Sequence, residues 1–202
     1  MSAYLSSEGI VLCAHERGEA DLLLAIMTEK TGLLYALAKS VRQERSKLRP
    51  HLARFTSGTF LFVNGKAIWR LIDAQERLRI RPRTGSAAGK EPDEFASFAS
   101  ISSLLLRMVR GAAVDKELWR EAAAAHDYFA SPLSTPMRAV ASLAFQVRLL
   151  NRLGYVAAGH PLDIVRELLI ASAVSHTLIA ALRPHTRALT AVVAHAIHAS
   201  QM

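Results

Sequence analysis

The chain has 202 residues, of which 51% are apolar and 21% charged, a composition that is typical of a globular protein and excludes a chain disordered throughout. Its formal charge of +8 is concentrated near the N-terminus, because residues 1–83 carry 14 Lys and Arg against 8 Asp and Glu. Such an excess of one sign indicates an anionic polymer as partner, and nucleic acid is the commonest one.

The first residues and the cysteine content bear on location. The N-terminus has no basic stretch before an apolar core, so we expect no secretory signal. The longest apolar run, residues 168–182, is shorter than the roughly 20 residues that span a bilayer, so we expect no membrane segment. Cys13 is the only cysteine, which excludes an internal disulfide and a thiolate zinc site. These features predict a cytoplasmic protein.

Residues 8–79 are predicted to form strands and turns. Five apolar or β-branched runs are separated by turn residues. Gly32 stands where a hairpin needs a positive φ, and Asn64-Gly65 is the preferred pair of a type I′ turn. Five strands in such a span suit a small closed barrel of the OB type, which binds single-stranded nucleic acid. We therefore predict an α+β chain in which a five-stranded OB-fold β-barrel, residues 1–80, precedes an α-helical domain.

Between the third and fourth predicted strands lies a stretch that we call the basic segment, residues 39–55. It contains a single acid, Glu44, and six cations: Lys39, Arg42, Arg45, Lys47, Arg49 and Arg54. Lys66 and Arg70 extend the positive charge onto the next hairpin. Phosphate contacts need only charge and hydrogen-bond donors, so these eight residues are the predicted DNA-binding residues. The alternative is a solvated loop whose charge only maintains solubility.

Aromatic residues for base stacking are scarce in the same region. Phe60 and Phe62 fall on one face of a strand by alternation, and we expect them, together with Trp69, to fill the core. A binder with much charge and few stacking residues is expected to tolerate any sequence.

The second part of the chain is predicted to be helical. Residues 81–93 are rich in Pro, Gly, Ser and Ala and are predicted to be a linker, followed by the helical domain, residues 94–202. Apolar residues then recur at helical spacing up to Gly111, and Asp115 caps a second helix. Thr135-Pro136 opens a third helix that ends at Gly154. Three more helices are expected near residues 163–173, 175–182 and 186–200.

Three sequence features resemble those of enzymes or metal sites, but none of them meets the requirements of such a site. Residues 58–67 contain Gly-Lys, but the spacing and the following strand differ from those of a phosphate-binding loop. His185, His195 and His198 lack carboxylate or thiolate neighbours, so we interpret them as surface histidines. Cys13 lies two residues from His15 on a strand, and we expect it to be a buried thiol. We therefore predict no enzyme activity, no metal and no cofactor.

The third predicted helix ends with an arginine- and leucine-rich segment. Arg148 and Arg152 flank leucines that include Leu149 and Leu153. A leucine groove edged by arginines would suit an acidic peptide with an apolar end, so these four residues are the predicted partner-binding residues. The alternative is an ordinary helix core with arginines at its rim.

The order of these features resembles the RecO family of bacterial recombination mediators over about 70 residues. The matching positions are Glu8 to Leu12, Glu19, Asp21, Ala38, Lys39, Arg42, Ser46, Leu48 and Phe55-Thr56. In addition, residues 148–155 resemble the family's Arg-x-Leu-x-x-Leu-Gly-Tyr segment. Two departures matter: the chain lacks the four-cysteine zinc module that many members carry after this segment, and it is shorter than typical members.

The resemblance implies a fold and a function. Members have an OB-fold followed by a helical domain, bind single- and double-stranded DNA and anneal complementary strands. They contact RecR and the acidic C-terminal tail of single-strand-binding protein, and they help to load the recombinase RecA without a cofactor. The hypothesis is therefore a nucleoid-associated recombination mediator in DNA repair. The alternative is a nonspecific RNA- or ribosome-binding OB module whose helical part recruits a protein.

Overall fold

A computed structural model describes residues 4–82, 93–109, 111, 113–131 and 137–200. The chain divides into two compact units. The first comprises Met1–Arg81 and Leu105–Trp119, and the second comprises Pro82–Leu104 and Arg120–Met202. Most of the predicted linker, residues 83–92, lies outside the described residues.

The first unit contains a closed five-stranded barrel. Its strands are β1 (Tyr4–Arg17), β2 (Asp21–Thr28), β3 (Gly32–Ala38), β4 (Thr56–Val63) and β5 (Trp69–Arg79), in the order β1-β2-β3-β5-β4. Neighbouring strands are antiparallel except β3 and β5, which are parallel. The predicted α+β class, an N-terminal five-stranded OB-type barrel followed by helices, is confirmed.

Two glycines in the barrel connections are required for different reasons, one for its φ angle and one for space. Gly32 has φ +71°, as predicted, and a Cβ there would also lie 2.2 Å from the Ala113 carbonyl oxygen. The predicted type I′ turn at Asn64-Gly65 is wrong, because neither residue has a positive φ. In addition, the pair of β4 and β5 residues nearest the connection is Val63 with Arg70, which leaves more than two residues between the strands. Gly65 is required for space instead, since its Cβ would lie 2.2 Å from the Ile68 carbonyl oxygen.

The basic segment closes the barrel core. Val41 and Leu52 are buried together with the inward side chains of the strands, and Phe55 is fully buried as well. Phe55 has φ +62°; its N–H donates to the Val11 carbonyl oxygen at 2.8 Å, and its carbonyl accepts from the Ile80 N–H at 3.1 Å. A 3-10 turn at Arg49–His51 lies between these anchors. The segment is therefore part of the folded barrel.

The remaining elements are helices: α1 (Glu94–Met108), α2 (Lys116–Ala130), α3 (Arg138–Arg152), α4 (Asp163–Ile170), α5 (His176–Leu182) and α6 (Thr186–Ala199). Asp115 caps α2 as predicted, through a 2.9 Å bond from the Leu118 N–H, and Gly154 ends α3 with φ +83°. The predicted cap at Thr135-Pro136 lies outside the described residues. In the second unit α3 packs against α4, α5 and α6. No helix in the described ranges is long and apolar enough to cross a membrane.

The anchoring of the basic segment can be tested by Leu52→Ala. We expect this change to lower the free energy of unfolding by about 2–5 kcal/mol, because it leaves a cavity at a buried leucine. Chemical denaturation followed by circular dichroism measures the effect. Gln43→Ala is the matched control in the same segment, and its exposed side chain should cost no more than about 0.5 kcal/mol. Equal, small effects of both changes would contradict the anchoring.

Candidate nucleic-acid interface

Four cations of the basic segment lie on the surface without partners. The side chains of Lys39, Arg45, Lys47 and Arg49 are exposed, and within the described part of the chain none of them forms an ion pair or a hydrogen bond. They alternate with the buried anchors that hold the segment on the barrel. Their charges are therefore presented on a fixed backbone and remain available to an anion.

Arg42 has a different role from its neighbours. Its guanidinium donates to the carbonyl oxygens of Gly18 and Glu19 at 3.3 and 3.1 Å, and it lies 3.0 Å from the Glu16 carboxylate. The backbone N–H of Arg42 also donates to the Ala20 carbonyl oxygen at 2.9 Å. Arg42 therefore fastens the start of the basic segment to the β1–β2 turn, which accounts for most of its hydrogen-bonding capacity.

Arg79 fastens the other end of the segment, a role that the sequence did not indicate. Its guanidinium contacts the Pro50 carbonyl oxygen and the Glu76 carboxylate, and its Nε donates to Thr56 Oγ1 at 2.9 Å. This network joins the 3-10 turn to β4 and β5. The remaining predicted cation of the segment, Arg54, is exposed, and its guanidinium lies 4.7 Å from the centroid of the Phe55 ring.

The predicted cations outside the basic segment are also exposed. Arg70 lies in β5 beside Leu37 of β3, and Lys66 lies in the β4–β5 connection. Neither side chain has an ion-pair or hydrogen-bond partner among the residues that the structure describes. Phe60 and Phe62 are buried in the core and Trp69 packs against it, as expected from alternation. Exposed positive charge thus continues from the basic segment to the outer face of β5.

The predicted partner groove on α3 needs a correction. Arg148 is only 6% exposed, and Leu149 is fully buried. The Arg148 guanidinium forms a two-bond pair with the Glu121 carboxylate, at 2.8 and 2.5 Å, and donates to two backbone carbonyl oxygens of residues 168 and 171 at 3.2 and 2.6 Å. Arg148 therefore holds α2, α3 and the end of α4 together from the interior and does not border a groove.

The other two predicted groove residues are more accessible. The Arg152 side chain is 38% exposed, with one guanidinium nitrogen 3.8 Å from Glu121, and Leu153 is half-buried. The chain after α3 lines a cavity of about 320 Å³ with α6, and we call it the α6 cavity. Its lining is apolar apart from two histidines and comprises Tyr155, Val156, Ala157, His160, Leu162, Ala188, Ala191, Val192 and His195.

The groups that were considered for catalysis or metal binding are scattered. In the described ranges no three His, Cys, Asp or Glu residues are grouped so that they could hold a metal ion. His195 and His198 are exposed on α6, and His185 is exposed in the 3-10 turn that precedes it. Cys13 is half-exposed, not buried as expected, and its Sγ lies 3.2 Å from His15 Nε2.

Comparison with known proteins shows that the N-terminal part of the chain is similar to a known family. Residues 1–75 match the family described as "Recombination protein O N terminal". Proteins named "DNA repair protein RecO" are similar to part of the chain: one from Thermobifida fusca is 45% identical over 68 residues, one from Gloeothece citriformis is 34% identical over 90 residues, and one from Clostridium acetobutylicum is 33% identical over 73 residues. The resemblance of the N-terminal part to the RecO family is confirmed.

The similarity is confined to part of each chain. The matches cover 34%, 45% and 36% of this chain and 28%, 31% and 30% of the respective relatives. The chain therefore matches less than a third of the length of these relatives.

The interior position of Arg148 can be tested by Arg148→Met. We expect the free energy of unfolding to fall by about 3–5 kcal/mol, because Glu121 would stay buried without the guanidinium that donates two hydrogen bonds to it. The double variant Arg148→Met/Glu121→Leu should regain much of this loss, since no buried charge is left unpaired. Arg152→Met is the matched control and should cost at most about 1 kcal/mol. If chemical denaturation gave the same small effect for both arginines, the buried pair would be contradicted.

Proposed function

We propose that this chain, whose first 75 residues match the N-terminal domain of the RecO family, is a DNA-binding recombination mediator in DNA repair. It binds single- and double-stranded DNA, anneals complementary strands and helps to load the RecA recombinase. It works in the cytoplasm, associated with the nucleoid, and uses no enzymatic step and no cofactor. The family match and the relatives named DNA repair proteins support a role in DNA repair and recombination.

One observation carries the DNA-binding part of the proposal: the basic segment is anchored, and its exposed cations Lys39, Arg45, Lys47 and Arg49 project from the anchored backbone. Buried Val41 and Leu52 hold the segment down, and Arg42 ties it to the β1–β2 turn. A phosphate strand can therefore be bound without first ordering a mobile loop, which lowers the entropic cost of binding.

The same surface accounts for annealing. Two complementary strands repel each other through their phosphates, and a row of cations that binds one strand lowers that repulsion for the second. Phosphate contacts carry no sequence information, so complementary strands of any sequence can be paired on this surface.

The DNA-binding surface can be tested with the full-length triple variant Arg45→Ala/Lys47→Ala/Arg49→Ala. Each phosphate contact contributes about −0.7 to the slope of log affinity against log salt on a single strand. We therefore expect the slope to flatten by about 2 and binding of all sequences to weaken alike. Fluorescence anisotropy of labelled oligonucleotides over a salt series measures both, and strand annealing should be lost in the same variant.

The matched control is a second triple variant, Arg107→Ala/Arg183→Ala/Arg187→Ala. It removes the same charge from exposed helical positions and should keep nearly the wild-type salt slope. A wild-type slope in the basic-segment variant would show that these cations only solvate a loop. Stronger binding to single-stranded RNA than to DNA, without annealing, would favour the nonspecific RNA-binding alternative.

We also propose RecR and the C-terminal tail of single-strand-binding protein as protein partners, as the family resemblance implies. For an acidic peptide that ends in an apolar residue, the α6 cavity is a suitable site in the second unit. Its apolar lining can take the terminal side chain, and its two histidines offer N–H donors to a carboxylate. Exposed Arg152, three residues before Tyr155, can attract the acidic residues.

This peptide site can be tested by Ala191→Trp, which fills the α6 cavity. We expect a labelled peptide of several Asp residues with an apolar C-terminal residue to lose binding, because its last side chain has no space. Ala194→Trp is the matched control, since Ala194 is exposed on the same helix and does not line the cavity. Fluorescence anisotropy of the peptide measures the effect. Equal peptide affinity in both variants would move the site elsewhere.

A further inference from the structure

The outer face where β3 meets β5 combines apolar side chains with unpaired cations. Ala36 and Ala38 point into the barrel core, so alternation turns Tyr35, Leu37 and Lys39 outward. Leu37 lies beside Arg70, and Ala38 lies beside Leu71, in the parallel register. Because Leu71 is buried, Arg70 and Ile72 point outward on β5.

Tyr35 is the prominent residue on this face. It is 46% exposed, and Ile72 on the adjoining strand is 39% exposed. The Tyr35 hydroxyl has no hydrogen-bond partner in the part of the chain that the structure describes, so no contact there fixes the ring by its polar end. Tyr35 lies two residues before Leu37, a distance of about 7 Å along β3. Arg70 lies beside Leu37 on the neighbouring strand β5. Tyr35 and Arg70 are thus diagonal neighbours on the outer face, a separation that long side chains can span.

The charges around this ring favour an anionic ligand with a flat apolar part. Lys39 and Arg70 have no acidic partner among the described residues. The acid next along β5, Asp73, uses its carboxylate to accept the Ala74 N–H at 2.9 Å. A nucleic-acid base attached to phosphates has this combination of a flat face and negative charge, and base stacking on an aromatic ring is tolerant of base identity.

We infer that Tyr35 is a stacking platform for an unpaired base, with Lys39 and Arg70 binding the flanking phosphates. This inference rests on the proposed DNA-binding function and adds to it a preference for single strands. A base can lie flat on Tyr35 only when it is free of its own stack, whereas the cations of the basic segment bind phosphates of either form. Sequence reasoning missed Tyr35 because it looked for stacking residues only among the core aromatics of the β4–β5 hairpin.

The test compares full-length Tyr35→Ala and Tyr35→Phe in anisotropy titrations. We expect Tyr35→Ala to weaken binding of an oligo-dT strand by about 5- to 100-fold, while Tyr35→Phe keeps the affinity because it keeps the ring. The salt slope should not change, since no charge is removed. An abasic oligonucleotide of the same length and a duplex should bind equally to wild type and Tyr35→Ala.

A further control is Ile170→Ala, which removes another exposed apolar side chain, at the end of α4 in the second unit. It should leave oligo-dT affinity unchanged. If Tyr35→Ala bound oligo-dT like the wild type, or lost affinity equally for the abasic strand, the stacking inference would be overturned and the proposed DNA binding would stand. If the wild type showed no salt-dependent binding to oligo-dT, both would be overturned.

Discussion

The structure depends on the closure of the barrel by the basic segment. The chain must return from the end of β3 to the start of β4, and three apolar side chains on the way, those of Val41, Leu52 and Phe55, are buried. Burying each of them contributes about 1.5–3 kcal/mol. This burial holds the backbone between the anchors, and most of the cations between them are exposed on the outside of the barrel.

Arginines in this protein have two roles, structural and solvent-exposed, and the groups around each guanidinium determine which role it has. Arg42 and Arg148 each satisfy backbone carbonyl oxygens and one carboxylate, and so join segments that are distant in sequence. The guanidinium suits this role because it offers five donors in a fixed plane and stays charged when buried. Arg45, Arg49 and Arg70 have no such partners in the described residues, so they can exchange water for phosphate without first breaking a structural contact.

Local patterns were sufficient for the elements of this fold. Alternation, Gly32, the Asp115 cap and the Gly154 stop each depend on neighbouring residues, so the strands and most helix ends could be predicted from the sequence. The β4–β5 turn could not, because Gly65 is required by the approach of the Ile68 carbonyl, a contact within a longer connection. The burial of Arg148 depends on Glu121, 27 residues earlier. One signal was available: Arg148 follows Ala144 by four residues and Phe145 by three, on the buried stripe of α3.

The structural arginines also strengthen the field of the free cations. Glu16 and Glu76 lie next to the two ends of the basic segment, and Arg42 and Arg79 pair with them. Each pair is nearly neutral at the distance of a phosphate strand, so these two carboxylates do not offset Lys39, Arg45, Lys47 and Arg49. If the carboxylates were unpaired, they would repel phosphate beside the residues that we propose to bind it. The pairing of these two arginines therefore holds the segment in place. Within the segment itself, Glu44 is the only acid that offsets the charge of the exposed cations.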